Sequence, residues 1–419
     1  MNALAATWGI AGLATVGVIL RPWRLPEAIW AVTGAILLVI GGLLPPAAAL
    51  HAAADGADVY LFLAGMMLLA ELARREGLFE WLAAHAARSA RGSSARLFAT
   101  VYLVGTLVTI FLSNDATAVV LTPAVAAVAR AARAKRPLPY LLACAFIANA
   151  ASFVLPISNP ANLVIYGSDM PPLLQWLSRY SLPSAISILA TWLLLWLTQR
   201  AALRQRIESD VPVAQLPGTG CLAGCGIVLT AMVLMAASAL GCRLGLPTCL
   251  AGIATAAAVL LRRRQAPWHV IRGVSWGVLP LVAGLFVLVA GLDRTGVLGL
   301  VTNMLRAAAA HSVVGTAWAA GSLTAVLCNL VNNLPAGLIA RTAIQTAHAP
   351  PLVAGATLIG VDLGPNLSVT GSLATILWLT ALRREGLEIG AARFLRIGTV
   401  VMLPALLLTL AVLLLGEIP

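Results

Sequence analysis

Four short polar segments interrupt long apolar stretches of this chain. They read Ser-Asn-Asp-Ala-Thr at 113–117, Pro-Ile-Ser-Asn-Pro-Ala-Asn at 156–162, Asn-Leu-Val-Asn-Asn-Leu-Pro at 329–335 and Val-Thr-Gly-Ser-Leu-Ala-Thr at 369–375. Amide and hydroxyl groups, with the free backbone N–H and C=O groups of a broken helix, can hold a solute or an ion. We therefore predict that these uncharged side chains bind substrate: Asn114, Asn159, Asn332, Asn333, Ser372 and Thr375.

Two aspartates lie in the same apolar surroundings. Asp115 directly follows Asn114, and Asp362 precedes the fourth polar segment. A carboxylate at the centre of a bilayer costs about 2.5–3.5 kcal/mol on insertion scales, which makes each a functional candidate. We predict that one or both bind and release a proton, or coordinate a cation. The alternative is a permanently ionised carboxylate that caps a half-helix.

Basic residues are absent from the four polar segments, which contain no arginine, lysine or histidine. An anionic substrate would meet carboxylates, amides and hydroxyls there, although helix N-termini alone can bind anions. The segments therefore favour a neutral, hydrogen-bonding solute or a cation. The six cysteines form no metal signature, so we predict neither a metal site nor a cofactor.

The composition sets the class of protein. Of 419 residues, 60% are hydrophobic and 10% are charged, whereas an ordinary soluble domain has roughly 25% charged residues. This excludes a soluble enzyme, a nucleic-acid binder and a disordered chain, and it predicts a multi-pass protein of the lipid bilayer. The single lysine, Lys135, follows Ala134 rather than glycine, which excludes a P-loop and ATP-driven pumping by that route.

Apolar length and arginine placement predict the topology. Segments long enough to cross a bilayer occur at about 4–20, 27–50, 57–73, 138–168, 180–199, 218–240, 246–261, 275–292, 350–381 and 397–416. Most of the 27 basic residues fall on the cytoplasmic side only under one condition. The stretch 96–130 must enter and leave from the cytoplasm, and the stretch 311–347 must enter and leave from outside.

The polar segments form an internal repeat. Asn159 follows Asn114 by 45 residues, and Ser372 follows Asn332 by 40. Matched interruptions in two halves of opposite orientation are typical of secondary transporters with a site at the midplane. The predicted fold is an all-α polytopic membrane protein, an inverted-repeat transporter with about ten transmembrane helices and two opposed re-entrant helical hairpins.

The predicted organisation has four parts. Residues 1–26 form an N-terminal transmembrane helix, and residues 27–200 form the first inverted repeat with a cytoplasmic-side hairpin at about 96–130. A cytoplasmic linker at 201–217 follows. Residues 218–419 form the second inverted repeat, with an outside-entering hairpin at about 311–347.

Longer motifs extend this interpretation. The segments FLSNDATAVVLTP at 111–123 and GVDLGPNLSVTGSLATILWL at 360–379, with VNNLP at 331–335 and GLFEW at 77–81, cover both halves. In these motifs the chain resembles the bacterial arsenite/antimonite efflux permeases (ArsB type) of the ion-transporter superfamily. The resemblance extends over essentially the whole chain, and its motifs fall on the six polar residues and two aspartates named above.

The resemblance implies a function. It implies an inner-membrane, multi-pass antiporter, not an enzyme, that exports arsenite and antimonite as neutral trihydroxides in exchange for protons and so confers arsenical resistance. Some relatives associate with a soluble arsenite-stimulated ATPase subunit, and the missing P-loop is consistent with such a partner or with a solo antiporter. The superfamily also contains homodimers.

Two other functions stay open from the sequence. One is a sodium- or proton-coupled carboxylate symporter of the same fold, against which the lack of basic residues in the polar segments argues. The other is an intramembrane enzyme with Asp115 and Asp362 as a catalytic dyad, for which inverted hairpins serve no obvious purpose.

Overall fold

The computed structural model describes residues 3–209, 211–212 and 215–416. Every regular element in these residues is a helix, apart from an isolated bridge between Ser93 and Arg206. The prediction of an all-α protein is therefore confirmed.

The first half of the chain contains eleven α-helices in the described residues. They are α1 (Ala3–Leu20), α2 (Glu27–Ile40), α3 (Pro46–Asp55), α4 (Ala57–Arg75), α5 (Leu78–Ser89), α6 (Ser94–Phe111), α7 (Asn114–Ala116), α8 (Thr122–Ala131), α9 (Leu138–Ala150), α10 (Pro160–Tyr166) and α11 (Leu173–Gln199). A π-helical turn, Thr117–Leu121, joins α7 to α8, and a 3₁₀ turn, Pro156–Ser158, lies between α9 and α10.

The second half contains ten more in the part of the chain that is described. They are α12 (Gly218–Ala239), α13 (Gly245–Arg263), α14 (Trp268–Gly273), α15 (Val278–Asp293), α16 (Val297–His311), α17 (Val313–Val331), α18 (Asn333–Ala347), α19 (Pro351–Leu363), α20 (Leu373–Arg384) and α21 (Ala391–Leu415). A 3₁₀ turn, Gly364–Leu367, ends α19.

Helix length and composition give a multi-pass membrane protein. Seven helices of the described chain are long and apolar enough to cross a bilayer, and up to nine candidates result if each of two bent pairs, α3 with α4 and α15 with α16, crosses as one span. The sequence predicted ten. Two of those predicted spans, 138–168 and 350–381, each consist of two helices, because a segment with a proline-containing 3₁₀ turn separates them and a polar N-cap starts the second.

The two halves repeat the same order of elements and exchange packing partners. Helix α4 of the first half packs on α13 of the second, and α15 of the second packs on α2 of the first. Likewise α1 packs on α2 as α12 packs on α13, while α11 packs directly on α21. A two-fold relation between repeats generates reciprocal contacts of this kind. The predicted repeat boundaries themselves stay a prediction.

Each predicted hairpin range holds helices that meet at a polar turn. The first hairpin comprises α6 to α8, and α5 packs against both of its long helices; the second comprises α17 and α18, against which α16 packs. The segment predicted as linker, of which 210, 213 and 214 lie outside the described residues, contacts both ends of the first hairpin. There the N–H of Ile207 donates to the carbonyl of Gly92 at 3.1 Å, and that of Glu208 donates to the carbonyl of Ala132 at 2.9 Å.

Glycines allow α19 to lie directly against α17. A β-carbon on Gly360 would overlap the carbonyl oxygen of Gly321, and one on Gly364 would lie 2.5 Å from the Cα of Ala325. Small residues at this four-residue spacing let helix backbones approach closely in membranes. The close contact fixes the position of α19 and therefore of Asp362, which α19 carries.

We expect Gly360→Val to separate α17 from α19 and to destabilise the purified protein by about 1–3 kcal/mol, the usual cost of overpacking. Thermal unfolding in detergent measures the effect. The matched control is Gly12→Val in α1, where a β-carbon meets nothing within 4 Å. Equal losses in the two variants would contradict the role of this helix contact.

Candidate functional site

The four polar segments meet at one very small cavity of about 10 Å³. Both hairpin tips and the N-termini of α10 and α20 line it, with one apolar residue each from α4 and α15. Its polar lining residues are Asn114, Asp115, Asn159 and Asn333. Among the described residues that line it, none is basic and Asp115 is the single carboxylate.

The first hairpin tip presents a helix N-terminus to this cavity. The hydroxyl of Ser113 caps α7 by accepting a hydrogen bond from the N–H of Ala116 at 3.2 Å. The side-chain oxygen of Asn114 accepts from the N–H of Asp115 at 2.9 Å. Asn114 is almost fully buried, whereas Asp115 is partly exposed. The π-helical turn that follows is a local distortion common at functional sites.

Asn159 joins the cavity to Asp362. As the N-cap of α10, it accepts through Oδ1 from the N–H of Ala161 at 3.0 Å. Its Nδ2 donates to Oδ1 of Asp362 at 2.7 Å. Pro160 begins the helix, where its missing N–H leaves no hydrogen bond unmade. The side-chain amide of Asn159 therefore makes one hydrogen bond within the first repeat and one to the second repeat.

Asp362 lies behind the cavity rather than in its wall. Its exposed fraction is 0%, and its Oδ2 has no hydrogen-bond partner among the described residues. Burying an unpartnered ionised oxygen costs several kcal/mol. Asp362 contacts the cavity wall through its hydrogen bond with Asn159.

The second hairpin tip is bound to the segment before α20. Asn332 adopts φ 76° and ψ 154° as the N-cap of α18, a strained conformation that is ordinarily limited to glycine. Its Nδ2 donates to the carbonyl of Thr370 at 3.3 Å, and the N–H of Asn333 donates to the carbonyl of Gly371 at 2.9 Å. Asn333 faces the cavity, and Asn332 supports the tip.

Ser372 and Thr375 are buried and contact α9. Ser372 caps α20 by accepting from the N–H of Thr375 at 3.1 Å, and its hydroxyl donates to Oδ1 of Asn149 at 3.4 Å. The Nδ2 of Asn149 donates to Oδ1 of Asn366 at 3.0 Å and to the hydroxyl of Thr375 at 3.4 Å. This network holds the N-terminus of α20.

The structure thus divides the six residues predicted to bind substrate. Asn114, Asn159 and Asn333 line the cavity, whereas the other three support the elements that form it. Sequence reasoning did not assign a site role to Asn149 or Asn366, two fully buried amides. The signal for Asn149 is its position, which matches that of Asp362 in the repeat.

Two larger cavities flank the central one. The first, about 410 Å³, lies beside α8, the linker and the ends of α4 and α13, and contains an ion pair of Glu76 with Arg263 at 2.8 Å. The second, about 200 Å³, lies between α18 and the helices α3 and α15. Arg341 of α18 faces Asp55 and Asp293 across it. Neither shares a lining residue with the central cavity.

Among the described residues, no group of three or more histidine, cysteine, aspartate or glutamate side chains could hold a metal ion. The two deeply buried cysteines, Cys144 and Cys328, are free thiols.

Comparison with known proteins agrees with this architecture. The chain is 29% identical over 364 residues to the arsenical pump membrane protein of Yersinia enterocolitica, covering 83% of this chain and 84% of the relative. It is also 29% identical over 375 residues to the protein of the same name from Escherichia coli K12, with the same coverage. These relatives confirm the resemblance that the motifs indicate.

A solved transporter shares the fold. The YdaH transporter of Alcanivorax borkumensis, whose topology is described as unusual, aligns with a TM-score of 0.56 at 16% identity, covering 88% of this chain and 86% of that one. A family model described as "Citrate transporter" (CitMHS) matches residues 15–365. With its apolar helices and bacterial relatives, this is a multi-pass inner-membrane protein. The chain belongs to the citrate transporter (CitMHS) family.

Proposed function

We propose that this protein exports arsenite and antimonite as neutral trihydroxides in exchange for protons. The observation that carries the proposal is the central cavity, whose described lining offers amides, helix N-termini and one carboxylate but no basic side chain. A trihydroxide presents O–H donors and oxygen acceptors without charge. The side-chain oxygens of the lining residues can accept its hydroxyl protons, and the side-chain amides of Asn114 and Asn333 can donate to its oxygens.

In this proposal, the substrate and the proton compete for the carboxylate of Asp115. As a carboxylate in the cavity wall, it accepts charge-assisted hydrogen bonds from hydroxyl groups of the solute. A proton on the carboxyl removes the charge and one acceptor, so the solute is held less tightly. Proton entry then favours solute release. Asp362, buried behind Asn159, is the second proton-coupling residue in this proposal.

Two access routes fit the flanking cavities. One lies beside the returning helix of the first hairpin, α8, and the other beside that of the second, α18. Since the central cavity is separate from both, small movements of the hairpins against α4 and α15 can open it to one side at a time. Alternating access around a fixed midplane site is the general behaviour of inverted-repeat transporters.

Carboxylate symport is the second candidate. The family description, citrate transporter, favours it. The cavity chemistry disfavours it, because a citrate anion would meet Asp115 with no cation among the described lining residues. A soluble ATPase partner and a homodimer stay predictions from the resemblance to the arsenical permeases.

We expect everted membrane vesicles that contain the protein to accumulate arsenite when their interior is acidified, because export in the cell corresponds to uptake there. A protonophore should abolish the accumulation, and vesicles without the protein provide the baseline. Arsenite accumulation that persists after the pH gradient collapses would contradict proton exchange. Sodium-stimulated citrate uptake without arsenite uptake would support the carboxylate symporter instead.

We expect Asp115→Asn to weaken arsenite binding roughly 10- to 100-fold, since it removes a charge-assisted hydrogen bond worth about 1.5–3 kcal/mol. Arsenite counterflow in proteoliposomes measures binding and exchange without a pH gradient. The matched control is Glu208→Gln, which removes a surface carboxylate paired with Arg133 at 2.8 Å and should have little effect. Wild-type counterflow in Asp115→Asn would remove this residue from the site.

A further inference from the structure

Asp362 and Asn149 occupy equivalent places in the two repeats. The same interval of 213 residues separates them (362 − 149) and separates Ser372 from Asn159 (372 − 159). Asn149 lies near the end of α9 and Asp362 near the end of α19, the first halves of the two broken helices. Asn159 and Ser372 cap the second halves, α10 and α20.

Their contacts cross between the repeats in mirrored fashion. Asp362 of the second repeat holds Asn159, the N-cap of α10 in the first, at 2.7 Å. Asn149 of the first repeat holds Ser372, the N-cap of α20 in the second, at 3.4 Å. We call these the α10 contact and the α20 contact. They are equivalent in position and differ in chemistry, because one contains a carboxyl group and the other an amide.

We propose that Asp362 is a positioning residue whose protonation loosens the N-terminus of α10, while Asn149, its uncharged counterpart, holds the N-terminus of α20 at every pH. This inference rests on the proposed function in taking the proton as the coupled ion. Under this inference, protonation changes α10 and leaves α20 unchanged, although the cavity is built from two similar halves.

The hydrogen bonds account for the difference. An ionised Asp362 accepts a short, charge-assisted bond from Asn159, and Oδ2, without a partner among the described residues, is free to take a proton. Protonation removes the charge and weakens the bond. The α20 contact has no charge to lose, and Asn149 is also bound to Asn366 and to the hydroxyl of Thr375.

Two other titratable groups lie close to Asp362, and neither changes its charge near neutral pH in its ordinary range. Ser152, from the turn after α9, faces its carboxyl group together with Asn159. The thiol of Cys328 on α17 and the phenol of Tyr180 on α11 interact electrostatically with it. Both are uncharged at neutral pH in their ordinary ranges.

A matched pair of cavity positions reports on the two contacts. Pro160 is the first residue of α10 and Leu373 the first residue of α20, and both line the central cavity. We would introduce Pro160→Cys or Leu373→Cys after replacing the four cysteines outside the buried core with serine, namely Cys221, Cys225, Cys242 and Cys249. Labelling by N-ethylmaleimide, followed by intact mass, gives a rate for each position.

The ratio of the two rates, position 160 over position 373, cancels the common effect of pH on thiol reactivity. We expect it to rise about fivefold from mildly alkaline to mildly acidic pH, the population change that corresponds to one N-cap of ~1 kcal/mol. In Asp362→Asn the ratio should not vary with pH. In Asp362→Asn combined with Asn149→Asp, which moves the carboxyl group to the α20 contact, the ratio should fall as the pH is lowered.

Two results would overturn the inference. One is a pH-dependent ratio that survives Asp362→Asn, and the other is a ratio that stays flat when the carboxyl group is moved to position 149. Hydrogen exchange of α10 and α20 in the protein without added cysteines gives a second measurement, should a cysteine variant not fold. There Asp362→Asn should abolish the pH-dependent loss of protection in α10 and leave α20 unchanged.

Neither measurement uses an arsenical or a gradient. If the substrate proposal fails, both can still show the one-sided response. If arsenite is exported in exchange for protons but labelling and exchange show no difference between α10 and α20, only the role of Asp362 and Asn149 is wrong.

Discussion

The fold depends on one constraint: a helix broken inside a bilayer must satisfy its free backbone groups from within the protein. This chain breaks helices at four places, and each break has side chains that do so. Ser113, Asn159, Asn332 and Ser372 each cap the helix that follows their break. The breaks also hold one another, since the second hairpin tip bonds to the segment before α20. The four breaks meet at the central cavity.

The packing of the helices is repeated in the two halves of the chain, whereas the ionisable side chains near the cavity are not. Exchange of packing partners, α4 with α13 and α2 with α15, makes the helix scaffold of the two halves alike. The ionisable groups do not repeat. Asp115 on the first tip corresponds to Asn333 on the second, and Asp362 corresponds to Asn149. Each pair holds one carboxyl group and one amide of nearly the same shape, so protonation acts on one member of each pair.

The close contact of α17 and α19 determines where Asp362 lies. Because Gly321, Gly360 and Gly364 carry no side chains, α19 lies against α17 and brings Asp362 within 2.7 Å of Asn159. That distance is what connects a fully buried carboxyl group to a residue of the cavity wall. The packing of α19 on α17 in the second repeat therefore places a carboxyl group beside the N-terminus of α10 in the first repeat.

Much of this protein could be predicted from the amino-acid sequence. Low charge and long apolar segments indicate a membrane protein, the arginine pattern predicts hairpins at about 96–130 and 311–347, and matched polar segments predict the repeat and a common site. The prediction of an all-α membrane protein is confirmed because it rests on local composition. The contacts that separate cavity residues from supporting residues are different, because they join residues more than 200 positions apart, such as Asn159 with Asp362 and Asn149 with Ser372. Only the tertiary structure decides that Asp362 lies behind the cavity, that Ser372 and Thr375 face α9, and that Asn149 belongs to the site, because these follow from how two distant repeats pack on each other.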